Sequence, residues 1–156
     1  MKALFYGIIL QFKMDIRSKS LLITCYLVPL LFFAIMGEIF TSIIPESKNT
    51  LIQSMTIMGI SMGTLIGLPP SIIEIYGTKI KKMYYANNVP IYFGLVSLTI
   101  STLIHLIIMS IIIIIIAPIV FDAKIPSNLL LYFGSLILFI ITSISIACVL
   151  GLLVKN

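Results

Sequence analysis

The stretch Ile91–Phe121 contains no Asp, Glu, Lys or Arg and includes the unbroken isoleucine run Ile111–Ile116. Three further apolar runs, Leu21–Ile44, Leu51–Tyr76 and Leu129–Val154, occupy most of the remaining chain. A helix needs about 20 residues to cross a hydrocarbon core of roughly 30 Å, and each run reaches that length. In lipid the backbone has no water to bond to, so a spanning segment must satisfy its own N–H and C=O groups. The runs therefore have to be helices, although so many β-branched residues would favour a strand in water. On a membrane-insertion scale each isoleucine favours the bilayer by about 0.3–0.6 kcal/mol. The third run would be about 45 Å long as a helix, which exceeds the hydrocarbon thickness, so it should tilt or extend into the interface. Pro118 falls near its end, where a kink is tolerated.

Apolar residues make up 60% of the chain and charged residues 10%, against roughly 45–50% and 25% in soluble domains. Such a chain lacks the polar side chains to cover a water-facing surface. Its 156 residues contain no linker. The expected fold class is all-α: a single transmembrane domain, residues 1–156, with four spans preceded by an amphipathic interfacial helix.

The net charge of +5 is informative through its distribution. Lys2, Lys13, Arg17, Lys19, Lys79, Lys81, Lys82 and Lys155 fall on one side of a four-span arrangement, and only Lys48 and Lys124 on the other. Positive charge marks the cytoplasmic face. Both termini and the middle loop are therefore expected in the cytoplasm, with Pro45–Thr50 and Asp122–Asn128 outside a plasma membrane. Short basic clusters between apolar runs are not a nucleic-acid footprint, which needs a solvated patch. Cys25 and Cys148 lie inside apolar runs and read as buried thiols. No His/Cys spacing resembles a metal site, and no cofactor is expected.

Residues 1–20 lack the charged-then-apolar order and small-residue cleavage site of a secretory signal. Leu4, Phe5, Ile8, Ile9, Phe12 and Ile16 share one helical face, while Lys2, Lys13 and Arg17 gather on another. That pattern fits a helix lying on the inner leaflet. Leu10 and Met14 on the polar side, and Asp15 on the apolar side, do not fit it.

Gly59, Gly63 and Gly67 recur every four residues in the second run, and Ser143, Ala147 and Gly151 do so in the fourth. Small residues at this spacing let another helix approach closely, either within the bundle or in a larger assembly. Pro69 and Pro70 remove two backbone donors and should kink the second span. Glu38 and Glu74 lie close enough to span ends to reach the interface. His105 lies mid-span, where ionisable residues are functional candidates. The reading preferred is a neutral imidazole bonded to neighbours such as Ser101, Thr102 and Ser110.

The segment from Glu74 to Pro90 is the most distinctive loop. Gly77 can end the second span and Pro90 can open the third. Between them Ile80, Met83 and Tyr84 share one helical face and Lys79 and Lys82 another.

With these features in place, the chain resembles a type-2 permease of the ATP-binding-cassette exporters. The resemblance rests on an elbow helix (Met1–Ser20), the spans Leu21–Ile44 and Leu51–Tyr76, and a Glu-x-x-Gly-Thr-like turn at Glu74, Gly77 and Thr78. A basic coupling helix follows over Lys79–Pro90, and the fourth run ends Gly-Leu-Leu-Val-Lys-Asn at 151–156. The stretch Gly77–Pro90 is a few residues longer than the family's usual form. The family has six spans where this chain carries four, as in a truncated product, a fragment or a permease completed by another polypeptide. The resemblance implies a permease subunit that forms part of a substrate pathway. It implies that Gly77, Thr78, Lys79, Lys81, Lys82, Met83, Tyr84 and Tyr85 couple the chain to a separate cytoplasmic ATP-binding subunit. A second permease copy or another permease chain would be a further partner, besides the lipid bilayer.

The chain itself carries no phosphate-cradling Gly-x-x-x-x-Gly-Lys-Ser/Thr motif, and no arrangement of nucleophile and base in an aqueous pocket. It is not expected to be an enzyme. Two alternatives remain beside the permease: a small proton-coupled transporter using His105 or Glu38, and a non-transporting accessory or immunity protein. The topology is directly testable in a chain without its two native cysteines. Ser47→Cys and Asn128→Cys should react with a membrane-impermeant thiol reagent in intact cells, and Lys81→Cys should not. Reaction of the last from outside would reverse the orientation.

Overall fold

The computed structural model describes residues 2–90 and 92–154. Ile91 and Lys155, the latter part of the charge count above, lie outside the described residues, as do the side chains of residues 2–4 and 78. No strand occurs among the described residues. Among the described residues, four helices are long and apolar enough to cross a membrane: Lys19–Ile43, Leu51–Ile75, Tyr92–Phe121 and Leu129–Leu153. The chain is a multi-pass helical membrane bundle.

Helix α1 (Lys2–Arg17) precedes the first span, which consists of α2 (Lys19–Leu22), a π-helical turn (Ile23–Leu27) and α3 (Val28–Ile43). Pro29 explains the widened turn: it has no N–H to give the carbonyl of Cys25, and its ring crowds that carbonyl. The Val28 N–H instead reaches back five residues to the Ile23 carbonyl. The second span is divided into α4 (Leu51–Leu65) and α5 (Leu68–Ile75). Pro69 and Pro70 cannot donate to Leu65 and Ile66, and the helix breaks at Ile66 and Gly67, one turn before the prolines. Helices α6 (Thr78–Ala86), α7 (Tyr92–Phe121) and α8 (Leu129–Leu153) complete the chain. Asn128 caps α8, its side-chain oxygen accepting the Leu131 N–H at 3.0 Å, which satisfies one otherwise free donor of the first turn.

Helix α4 stands at the centre, packed against α3, α7 and α8. Its glycines are the reason it can. A Cβ at Gly59 would lie 2.5 Å from Met109 Cε and 3.4 Å from Pro29 Cβ. At Gly63 it would lie 2.8 Å from Leu106 Cδ2, with Cys25 Sγ at 3.8 Å. Gly67 faces Thr24 of the first span. The second stripe also turns inward: Ser143, Ala147 and Gly151 are all buried, and Gly151 abuts Ile72 of α5. Both stripes are therefore used inside the chain. The larger-assembly reading of them gives way to internal packing, because spans 1 and 3 occupy the space above Gly59 and Gly63, and Ile72 of the second span occupies that above Gly151.

The outward faces are apolar. Leu31, Ile35 and Ile43 on α3, Ile115 and Ile119 on α7, and Leu130, Leu138 and Ile146 on α8 are all exposed. An apolar surface of that extent requires lipid around it. At the end opposite α1 and α6, here the loop side, the two connecting loops touch. The Lys124 N–H donates to the Lys48 carbonyl at 2.8 Å, and Lys48 Nζ lies 3.5 Å from Asp122 Oδ2. The exposed ion pair is worth about 0–1 kcal/mol and orients the loops more than it holds them.

Two glycines on α8 separate the packing claim from a generic glycine effect. A Cβ at Gly151 would sit 2.9 Å from the Cβ of the fully buried Ile72, whereas one at Gly134 would meet nothing within 4 Å. Gly151→Val should lower stability in detergent by about 1–3 kcal/mol through overpacking. Gly134→Val should leave the thermal midpoint unchanged or raise it. Equal sensitivity at both positions would remove the assigned α5–α8 contact.

Candidate functional site

The densest polar cluster joins α1 to two spans. Helix α1 lies against the basic-side half of α7, along the face that carries Ser97, Ser101 and His105 at four-residue spacing. Gly7 allows the approach, since a Cβ there would lie 2.5 Å from Phe93 Cε1 and 3.2 Å from Ser97 Oγ. Asp15 is 4% exposed. Ser101 Oγ donates to its Oδ2 at 2.5 Å, and Gln11 Nε2, one turn away on α1, donates to Oδ1 at 2.8 Å. Ser101 lies about 14 Å along α7 from its first residue, so this carboxyl is held inside the bundle, not on its surface. Deleting the Ser101 hydroxyl would strip a buried acceptor of its partner, at a cost of about 1–3 kcal/mol.

One turn further along α7, His105 is 1% exposed. Phe12 of α1 stacks on its ring with centroids 4.7 Å apart. Tyr26, delivered by the π-helical turn, places its hydroxyl 2.7 Å from His105 Nδ1. With the ring proton on Nε2, the Tyr26 O–H donates to Nδ1. With the proton on Nδ1, the ring donates to Tyr26 Oη. In either tautomer Nε2 is buried without a partner among the described residues.

The hydroxyls near His105 in sequence do not serve it. Ser101 bonds to Asp15, Thr102 to the Leu98 carbonyl and Ser110 to the Leu106 carbonyl. Its partner comes from another span, because on a helix the neighbouring hydroxyls find carbonyls one turn back more easily than a side chain beside them. Asp15, Gln11 and Tyr26 were not singled out as site residues. The signal for Asp15 was present as an acid on an otherwise apolar face. The opposite side of α1 exposes Lys13 and Arg17 between apolar flanks of Phe5, Ile9 and Ile16 and of Leu10 and Met14, which suits a helix bordering a membrane interface.

The second candidate is α6. Gly77 opens it: a Cβ there would crowd the Glu74 carbonyl at 2.9 Å. Its C-terminus closes in a Schellman motif, with Asn88 at φ 51°, Val89 N–H donating to the Tyr84 carbonyl, and Asn88 N–H to the Tyr85 carbonyl. Ile80 and Tyr84 are half-buried. Tyr84 Oη and Ile75 crowd the space above Gly94, at the start of α7. Lys79, Lys81, Lys82, Met83 and Tyr85 are exposed. Met83 therefore does not share the inward face with Ile80 and Tyr84. The bundle covers only a one-residue-wide stripe of this short helix, and Met83 lies just beyond it. The Thr78 side chain lies outside the described residues.

Glu38 and Glu74 are exposed, without hydrogen-bond partners among the described residues. Among those residues no cluster of His, Cys, Asp or Glu could hold a metal ion. No protein-family model, curated protein or solved structure matches this chain.

The docking of α1 has a simple test in a chain without Cys25 and Cys148. The pair Gly7→Cys and Ser97→Cys, with Phe93→Ala making room for the side chain at residue 7, should form a disulfide in membranes under mild oxidation. Pairing Gly7→Cys with Gly134→Cys, which stands on a different exposed face, should not. Failure of the first pair would mean that α1 lies apart from α7.

Proposed function

We propose that the chain is a permease subunit of an ATP-driven exporter, in the plasma membrane with both termini cytoplasmic. The observation that carries this reading is α6. It is an amphipathic helix between the second and third spans, pinned inward by Ile80 and Tyr84 and presenting three lysines, Met83 and Tyr85 outward. A cytoplasmic ATPase subunit would dock on that outward surface. Tyr85 and Met83 supply large apolar contact area, as anchors do at interfaces. Lys79, Lys81 and Lys82 would steer and orient an acidic partner surface. Because Tyr84 and Ile75 of the second span both border Gly94 at the start of the third, a push on α6 would reach two spans at once. That coupling is the mechanical role the reading assigns to it.

A second reading, proton-coupled transport through His105, draws on the unpartnered Nε2 and on Asp15 one turn away. It needs a water path to the ring, and Phe12 lies flat over one face of a histidine that is 1% exposed. The exporter reading is preferred for that reason.

The test is made in native membranes containing the chain and its candidate ATPase subunit. A cysteine replacing Met83 should crosslink to the ATPase. Met83→Ala together with Tyr85→Ala should uncouple ATP hydrolysis from transport while the chain remains in the membrane. His105→Gln, which keeps hydrogen bonding but loses the titrating nitrogen, should leave transport largely intact. Absence of any crosslink under every nucleotide condition would overturn the exporter reading, and complete loss of transport in His105→Gln would favour the proton-coupled one.

A further inference from the structure

We propose that the cleft between α4 and α8 binds an uncharged single-chain amphiphile whose head group carries a hydroxyl or an amide. The proposal does not depend on the exporter reading. The cleft has a volume of about 340 Å³, within the roughly 300–1,000 Å³ typical of small-molecule sites. Its polarity is graded along the membrane normal. Gln53 and Tyr132 stand in the first turns of α4 and α8, at the loop side, while Ile60 and Phe139 line it about 10 Å deeper. A molecule with its head at the interface and its tail toward the bilayer centre matches that gradient.

The chemistry of the head follows from which groups are already bonded. Tyr132 O–H donates to Thr56 Oγ1 at 2.9 Å, and Thr56 O–H donates onward to the Ile52 carbonyl at 2.6 Å. The Ser135 hydroxyl donates to the Tyr132 carbonyl. These donors are occupied. The Gln53 amide is not: it makes no hydrogen bond among the described residues, and its oxygen is buried. Its buried oxygen can only accept, so the head group has to bring a hydrogen-bond donor, which a hydroxyl or an amide N–H supplies and an ether does not. No Asp, Glu, Lys, Arg or His lines the cleft. A charged head, including that of an ordinary phospholipid, would find no counter-charge on the walls of the cleft.

The experiment uses the full chain in phosphatidylcholine nanodiscs and four photoactivatable probes of equal chain length: a primary alcohol, its methyl ether, a carboxylate and a plain hydrocarbon. The alcohol should label residues of α4 and α8 about 2–10-fold more than the other three, the ratio expected for one net hydrogen bond. Gln53→Leu should bring the alcohol down to the level of the hydrocarbon. Ile57→Trp, at an exposed position on the rim of the cleft, should suppress labelling by all four probes. Retention of the Gly7–Ser97 crosslink reports that each variant is folded, and the ether-to-alcohol ratio tests head recognition in the unaltered chain. Labelling spread evenly over the exposed faces and insensitive to Ile57→Trp would mean annular lipid only. Equal labelling by alcohol and ether, or crosslinks between copies across the cleft that exclude the probes, would overturn the proposal.

Discussion

The close approach of three spans to α4 is the contact on which the rest of the bundle depends. In lipid no hydrophobic force drives one apolar helix onto another, so association rests on van der Waals fit and a few hydrogen bonds. Fit requires backbones to come near, and Gly59 and Gly63 supply the missing volume for Met109, Leu106, Pro29 and Cys25. The same device recurs where Gly151 meets Ile72. Side chains at these positions would move α7 and α8 outward together with everything attached to them: α1 through Ser101, α6 through Gly94, and the loop-side cleft through Tyr132.

Against that apolar background the few interhelical polar contacts decide which elements move together. Asp15–Ser101 and Tyr26–His105 bind α1, the first span and α7 into one unit. Tyr132–Thr56 binds α4 to α8 near the loop side. Each pair is worth about 0.6–2 kcal/mol in a membrane, since alternatives in lipid are poor but not absent. They set register and orientation more than total stability. The polar joint sits on the basic side and the cleft on the other, so the two candidate binding regions lie toward opposite ends of the bundle.

Prolines place the irregular turns that serve these contacts. Pro29 forces the π-helical turn that carries Cys25 and Tyr26, and such insertions often mark functional positions. Pro69 and Pro70 break the second span, leaving α5 as a separate segment between the core and α6. A displacement at α6 would reach α5 through Tyr84 and Ile75, and the break at Ile66 and Gly67 is where it could be taken up without unpacking α4.

The sequence by itself determined that the chain is a helical membrane bundle, where its spans lie and which side is basic. Those properties follow from local facts: the length of apolar runs, the backbone's need for hydrogen bonds in lipid, and the position of each lysine. The small-residue stripes were equally visible. What they face was not, because a glycine every four residues is compatible with a partner inside or outside the chain, and only the packing of α7 and α5 above them decides. The same holds for polar side chains. His105 stood out, but its partner Tyr26 lies 79 residues away and is aimed by a local change in helical winding. Asp15 read as a flaw in an amphipathic pattern until α7 placed Ser101 beside it. Met83 and Tyr84, which flank the face of Ile80 at i+3 and i+4, were separated only by how narrow an edge of α6 the bundle covers. Periodicity specifies which residues share a face, while tertiary contact specifies what that face meets.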